Sequence, residues 1–238
     1  LHLAARGARV ALLGRTESDL QTLAREIADA GGAADVIVAD VSKLASMRRA
    51  FARIKKLHGR LDLVLANAGV NGVWAPLDRL EVAEWDTTLA INLRGTFLTC
   101  KFAIELMPRS GGSIVVISSV NGTRMFSNTG ASAYAASKAA QVAFARMIAL
   151  ELAPRRIRVN TICPGAIKSA IGENTVHRGL ARVRTPVKFP EGQVPLTGGK
   201  PGRAEDVARL AAFLLSDDAA HITGTEVFID GAQSLLQG

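Results

Sequence analysis

The chain has 238 residues, enough for one domain with a sizeable core. Apolar residues make up 48% and aromatics 5%, a mixture that suits helices packed closely on a sheet and excludes disordered or collagen-like classes. The formal charge is +8, from 29 basic against 21 acidic residues. Its excess is spread over Arg48, Arg49, Arg53, Lys55 and Lys56, over Arg155, Arg156 and Arg158, and from Arg178 to Lys188. With few aromatics and no zinc or RNA-binding motif, this reads as solvated surface and not as a nucleic-acid footprint. Cys100 and Cys163 each stand alone in apolar settings, outside any metal spacing. They read as buried free thiols, which suits the cytoplasm, and no metal site is expected. Apolar runs fall far short of the roughly 18 residues a membrane span requires. No signal-peptide pattern is visible either.

Taken in chain order, Ala8 to Leu13 is an apolar run after Gly7, hence a strand. Ser18 stands where it can cap the next helix, in which Leu20, Leu23, Ile27 and Ala30 recur at helical spacing before Gly31-Gly32. Asp35 to Ala39 is a second strand, Leu44 to Leu57 a helix closed by His58-Gly59, and Leu61 to Ala66 a strand running into Asn67-Ala68-Gly69. One long helix is expected from Trp85 to Met107, stopping before Pro108. Ser113 to Ile117 is a strand with Ser118-Ser119 at its end. The helix from Ala133 to Leu152 is apolar on nearly every face and is expected to be buried. Arg156 to Ile162 is a strand, and from Gly165 to about Lys200 the chain turns irregular under repeated Gly and Pro. Arg203 to Leu215 is a helix and Glu226 to Ile229 the last strand. Alternating strands and helices without repeats or a linker predict one α/β domain over residues 1–238, built on a parallel sheet.

Ligands of open parallel sheets bind beyond the carboxyl ends of the strands. Gly14-Arg15, Asp40-Val41, Asn67 to Gly69, Ser118-Ser119 and Pro164-Gly165 all follow a predicted strand. Tyr134 and Lys138 stand at i and i+4 on one helix face, and Tyr134 is the only tyrosine in the chain. An ammonium beside a phenol favours the phenolate, so the pair is expected to lower the tyrosine pKa from about 10 toward a range useful for acid–base work.

Asn67-Ala68-Gly69, Asn92, Ser119, Tyr134-x-x-x-Lys138 and Pro164-Gly165, in this order, resemble the short-chain dehydrogenase/reductase family over essentially the whole chain. The resemblance implies a Rossmann-like doubly wound parallel sheet in three αβα layers, a nicotinamide cofactor and hydride transfer to or from a carbonyl or secondary alcohol. Carried over by position, Tyr134 is the general acid/base and Lys138 assists it and bonds the nicotinamide ribose. Ser119 holds the substrate oxygen, and Asn92 anchors a proton-relaying water. Ser119 is preferred to Ser118 because the family's serine lies just before a short turn; the gap to Tyr134 is longer than usual, read as an extended loop from Thr123 to Thr129. Asn67, Ala68 and Gly69 pass the cofactor ribose, although Asn and Gly also make ordinary turns. Asp40 and Val41 meet the adenine, with helix capping the competing role for Asp40. Pro164, Gly165 and Ile167 flank the nicotinamide, and Ser169 stands where a carboxamide-bonding threonine is usual.

Cofactor choice turns on the strand end at Gly14-Arg15, where no carboxylate stands and a guanidinium does, so NADP is favoured over NAD. The chain departs from the family in lacking its first strand and glycine-rich turn. The expectation is an amino-terminally truncated sequence, whose missing strand would lie between those at Val10 and Leu63 and whose cofactor cradle is incomplete. A substrate lid is expected over about residues 166–200. Its Arg178, Arg182, Arg184 and Lys188 read as solvated, with attraction of an anionic substrate the alternative. The implied partners are a small carbonyl or alcohol substrate and other copies of the chain, in a homotetramer or homodimer, with no nucleic acid and no membrane. A non-catalytic dinucleotide-binding sensor or scaffold is the rival reading; the four filled positions of the tetrad weigh against it.

Overall fold

The computed structural model describes residues 1–183 and 193–237. The elements run β1 (Arg9–Gly14), α1 (Glu17–Asp29), β2 (Ala33–Val38), α2 (Leu44–His58), β3 (Leu63–Ala66), β4 (Val73–Trp74), α3 (Val82–Leu89), α4 (Gly95–Ile104), β5 (Gly112–Ile117), α5 (Ser132–Leu152), β6 (Ile157–Pro164), β7 (Val176–His177), α6 (Ala204–Leu215), β8 (Glu226–Ile229) and α7 (Gln233–Gln237). Strands β3, β5, β6 and β8 form one parallel sheet in that order, and β1 pairs with β2 in parallel.

The continuous apolar run of β5 is what a strand covered on both faces requires. Ile114 and Val116 point into a core made with Met47 of α2, Leu98 of α4 and Ala149 of α5. Val115 points the other way, against Ala211 and Leu214 of α6. All three are fully buried, each contributing about 1.5–3 kcal/mol through removal from water. The α/β layering expected from the pattern is therefore present.

Four local features differ from the sequence reading. The expected helix from Trp85 to Met107 is α3 and α4 joined by a π-helical turn, Ala90–Arg94, which turns Asn92 into the core. Thr16, not Ser18, occupies the N-cap position of α1. Helix α5 is not buried all round, since Met147 and Leu150 are exposed while Ala145, Ala149 and Leu152 face the sheet. The irregular stretch after Gly165 contains β7, which pairs in parallel with β4 (Val73 with Val176, Trp74 with His177).

Among the described residues no strand lies between β1 and β3. A cavity of about 220 Å³ separates them, lined by Ala11 and Leu13 of β1, Leu63 and Leu65 of β3, and Phe51 and Ile54 of α2. Strand β3 alternates strictly: Val64 and Ala66 are buried, Leu63 and Leu65 exposed.

Candidate active site

The carboxyl ends of β1, β3, β5 and β6 open onto one cleft of about 970 Å³. It brings together Asn67, Ala68 and Gly69 after β3, Ser119 after β5, and Tyr134 and Lys138 of α5. Pro164, Gly165, Ile167 and Ser169 line it at the end of β6, and Arg15 lines it at the end of β1. Among the residues not anticipated, Asp19 stands on the wall with Arg15, and Ile171 and Asn174 come from the lid. The small residues Ala204, Ala208 and Ala211 of α6 complete the wall.

Helical spacing sets Tyr134 and Lys138 side by side, with the Lys138 Nζ 5.6 Å from the tyrosine ring centroid. That nitrogen donates to the Ile117 carbonyl at 3.0 Å. Burial drives the electrostatics of both groups. It pushes the Lys138 ammonium down to about 8 and pushes the Tyr134 phenol above its ordinary value, with a hydrogen bond from Ser119 pulling the phenol partly back. The expected lowering of the phenol by the lysine is thus not found: burial raises it, and the group that pulls it back is Ser119.

The adjacent serines separate cleanly. The Ser118 hydroxyl donates to the Lys138 carbonyl at 2.8 Å and ties β5 to α5. The Ser119 oxygen accepts the Asn121 N–H at 3.1 Å and faces Tyr134.

Asn92 is fully buried behind the cleft wall. Its Oδ1 accepts the Val70 N–H at 2.8 Å, and its Nδ2 donates to the Val70 carbonyl at 2.9 Å and to Ser137 Oγ at 2.9 Å. Its amide therefore clamps the turn after β3. A Cβ on Gly69 would stand in ordinary contact, 3.4 Å from Asn92 Oδ1 and 3.5 Å from Lys138 Nζ, so Gly69 lies beside both groups without being sterically required to be glycine.

At the end of β6, Gln233 Oε1 of α7 accepts the Ala166 N–H at 2.6 Å. A Cβ on Gly165 would meet that oxygen at 2.5 Å, so this turn admits only glycine.

Asp40 and Val41 do not join the cleft. Asp40 Oδ1 accepts the Ser42 N–H and hydroxyl at 2.9 and 2.7 Å, the turn that leads into α2. Its carboxyl lies below the usual range because these bonds, with the Arg15 and Lys43 charges, outweigh a desolvation that opposes them. Val41 is buried and lines the cavity between β1 and β3.

Within the stretch expected as a lid, residues 175–178 are tied to the body of the fold. Asn71 Nδ2 donates to Thr175 Oγ1 at 2.7 Å, and Arg178 donates to both oxygens of Glu84 at 2.8 and 2.7 Å. Arg178 is therefore a tie to α3 and no free cation for substrate. Arg182 is exposed, and Arg184 and Lys188 lie outside the described residues. Burial raises both thiols, Cys100 and Cys163, to about 12, which leaves them inert. No described helix is long and apolar enough to cross a membrane.

The volume of the cleft, its apolar walls at Ile117 and Ile167 and its cations at Arg15 and Lys138 fit a nicotinamide dinucleotide laid across the strand ends. Comparison with known proteins points the same way. Residues 1–232 match the family model described as enoyl-(acyl carrier protein) reductase. The chain is 37% identical over 224 residues to 3beta-hydroxysteroid dehydrogenase 1 of Eggerthella lenta, covering 93% of this chain and 82% of that relative. Among solved structures, a 3-ketoacyl-ACP reductase from Sinorhizobium meliloti 1021 superposes with a TM-score of 0.93 at 50% identity, covering 98% of this chain and 92% of the other. A short-chain type dehydrogenase/reductase from Mycobacterium marinum gives 0.86 at 31% identity, covering 98% and 88%. The chain belongs to the short-chain dehydrogenase/reductase family and is an NAD(P)-dependent oxidoreductase.

Proposed function

We propose that the protein reduces the carbonyl of a small molecule to a secondary alcohol, with Tyr134 as proton donor and NADPH preferred to NADH. One observation carries this reading: Tyr134, Ser119 and Lys138 line the same cleft, with the phenol hydrogen-bonded to Ser119 and the Lys138 nitrogen 5.6 Å from the tyrosine ring. Pro164, Gly165, Ile167 and Ser169 would hold the nicotinamide ring, which when bound would supply the hydride to the carbonyl carbon. Ser119 holds the substrate oxygen, and Tyr134 Oη gives it a proton as negative charge develops there. Because burial raises the phenol, Tyr134 is protonated at neutral pH, the form that reduction requires. Lys138, with its pKa near 8, stands next in line to restore that proton.

Arg15 at the cleft rim supports NADPH through charge-assisted contact with a 2′-phosphate, and Asp19 beside it opposes. The exposed Met147 and Leu150 on α5 and Phe97 on α4 support a homotetramer or homodimer. The buried free thiols suit the cytoplasm.

The test is NADPH oxidation against a carbonyl panel headed by steroid ketones and 3-oxoacyl thioesters, repeated with NADH. Tyr134→Phe is expected to lower kcat/KM by about 10²–10⁴. A Phe variant as fast as the wild type would refute the role of Tyr134, and equal rates with the two cofactors would refute the preference.

A further inference from the structure

Helix α5 carries one polar group that the chemistry above does not use. Gln141 lies one turn beyond Lys138, on the helix face that holds Tyr134 and Lys138, and has no exposed surface. Its Nε2 donates to the Asn92 carbonyl at 2.8 Å and lies 2.7 Å from Thr96 Oγ1. Thr96 Oγ1 in turn donates to the same carbonyl at 2.7 Å. Since a carbonyl only accepts, the amide orientation is fixed: nitrogen toward Asn92, oxygen away. That oxygen, Gln141 Oε1, is buried and has no hydrogen-bond partner among the described residues.

An unpaired buried oxygen is costly, and an apolar side chain of the same volume would avoid the cost. A local rule broken in this way points to a task other than stability. The contacts show which task is available. Gln141 and Thr96 hold the carbonyl of the π-helical turn that carries Asn92, and the Asn92 amide holds both the N–H and the carbonyl of Val70. Val70 ends the Asn67–Val70 wall of the cleft, and the space beside the neighbouring Gly69, where a Cβ would stand, is bordered by Asn92 Oδ1 and Lys138 Nζ. Ser137 closes the loop, accepting from Asn92 Nδ2 and donating to the Tyr134 carbonyl at 2.7 Å.

We propose that Gln141 is a positioning residue: through Asn92 it fixes the Asn67–Val70 wall and the setting of Lys138. It touches neither substrate nor cofactor. The inference rests on the reading of Tyr134 and Lys138 as the reactive centre, but its first test is independent of turnover.

Gln141→Met keeps the volume and deletes the donor. Hydrogen exchange at the Val70 amide is expected to accelerate about tenfold, the size of one lost hydrogen bond, while β5 amides keep their protection. NADPH affinity, read by fluorescence titration, is expected to fall severalfold, and kcat to fall with little change in the carbonyl KM. Tm is expected to hold or rise. Thr96→Val is expected to act in the same direction, and the double variant to exceed the sum of the two, because the Asn92 carbonyl then loses both side-chain donors.

Unchanged Val70 exchange in Gln141→Met overturns the proposal. So does faster exchange spread over β5 and α5 together with a lower Tm, which marks a merely structural residue. A wild type that binds NADPH and reduces no carbonyl removes the proposed reaction and leaves the Val70 result to decide on Gln141.

Discussion

An ammonium buried to the extent of Lys138 is a charge held against a solvation cost. With a folded pKa of about 8 against roughly 10.4 in the unfolded chain, the unfolded state binds the extra proton between these values. Below pH 8 both states are charged and the full penalty, on the order of 3 kcal/mol, weighs on the fold. Stability is therefore expected to rise from pH 8 to pH 10, as the folded lysine releases its proton first. Lys138→Met removes that rise, and paired denaturant titrations of the two proteins measure it. Equal pH slopes would show that the ammonium is better solvated than its burial implies. At this scale the Tyr134–Lys138 pair was legible because helical spacing alone makes them neighbours. The role of Asp40 was not, since one carboxylate at a strand end serves an adenine or a capping turn equally well in sequence. Gln233 was out of reach for another reason: its contact with Ala166 joins residues 67 apart.

Secondary-structure elements were legible where periodicity and punctuation agreed, as in α2 and β5. The π-helical turn was hidden because one added residue leaves the apolar pattern of Trp85 to Met107 nearly intact. The pairing of β4 with β7 was hidden because a two-residue ladder between distant segments has no local signature. That ladder fixes part of the stretch expected as a lid, since residues 175–178 are stitched to Asn71, Trp74 and Glu84. Arg178→Ala is expected to change Tm by no more than about 3 °C, since exposed pairs contribute little to stability. It is expected to raise the KM for the carbonyl substrate about threefold to tenfold by loosening that wall. A Tm change without a KM change would assign the pair to the fold alone.

Across the molecule, the strand alternation that predicted an α/β domain also pointed to the cleft, since four of the five strand-end loops it flagged contribute to its lining and only Asp40-Val41 does not. What the pattern could not give is how evenly the sheet is held. Among the described residues, β5 and β6 are paired on both sides, whereas β1 is paired with β2 alone. Amides of β1 and β2 are expected to exchange about tenfold or more faster than those of β5 and β6. Hydrogen–deuterium exchange across the chain measures this, and uniform protection would contradict it.

The cleft has two banks. Arg15 stands on the β1–β2 bank, and Tyr134, Lys138 and the Pro164–Ser169 turn stand on the other. A dinucleotide long enough to reach both would draw its affinity from both, so substitutions at Arg15 and at the Pro164–Ser169 turn are expected to weaken binding additively, as for distant and independent contacts.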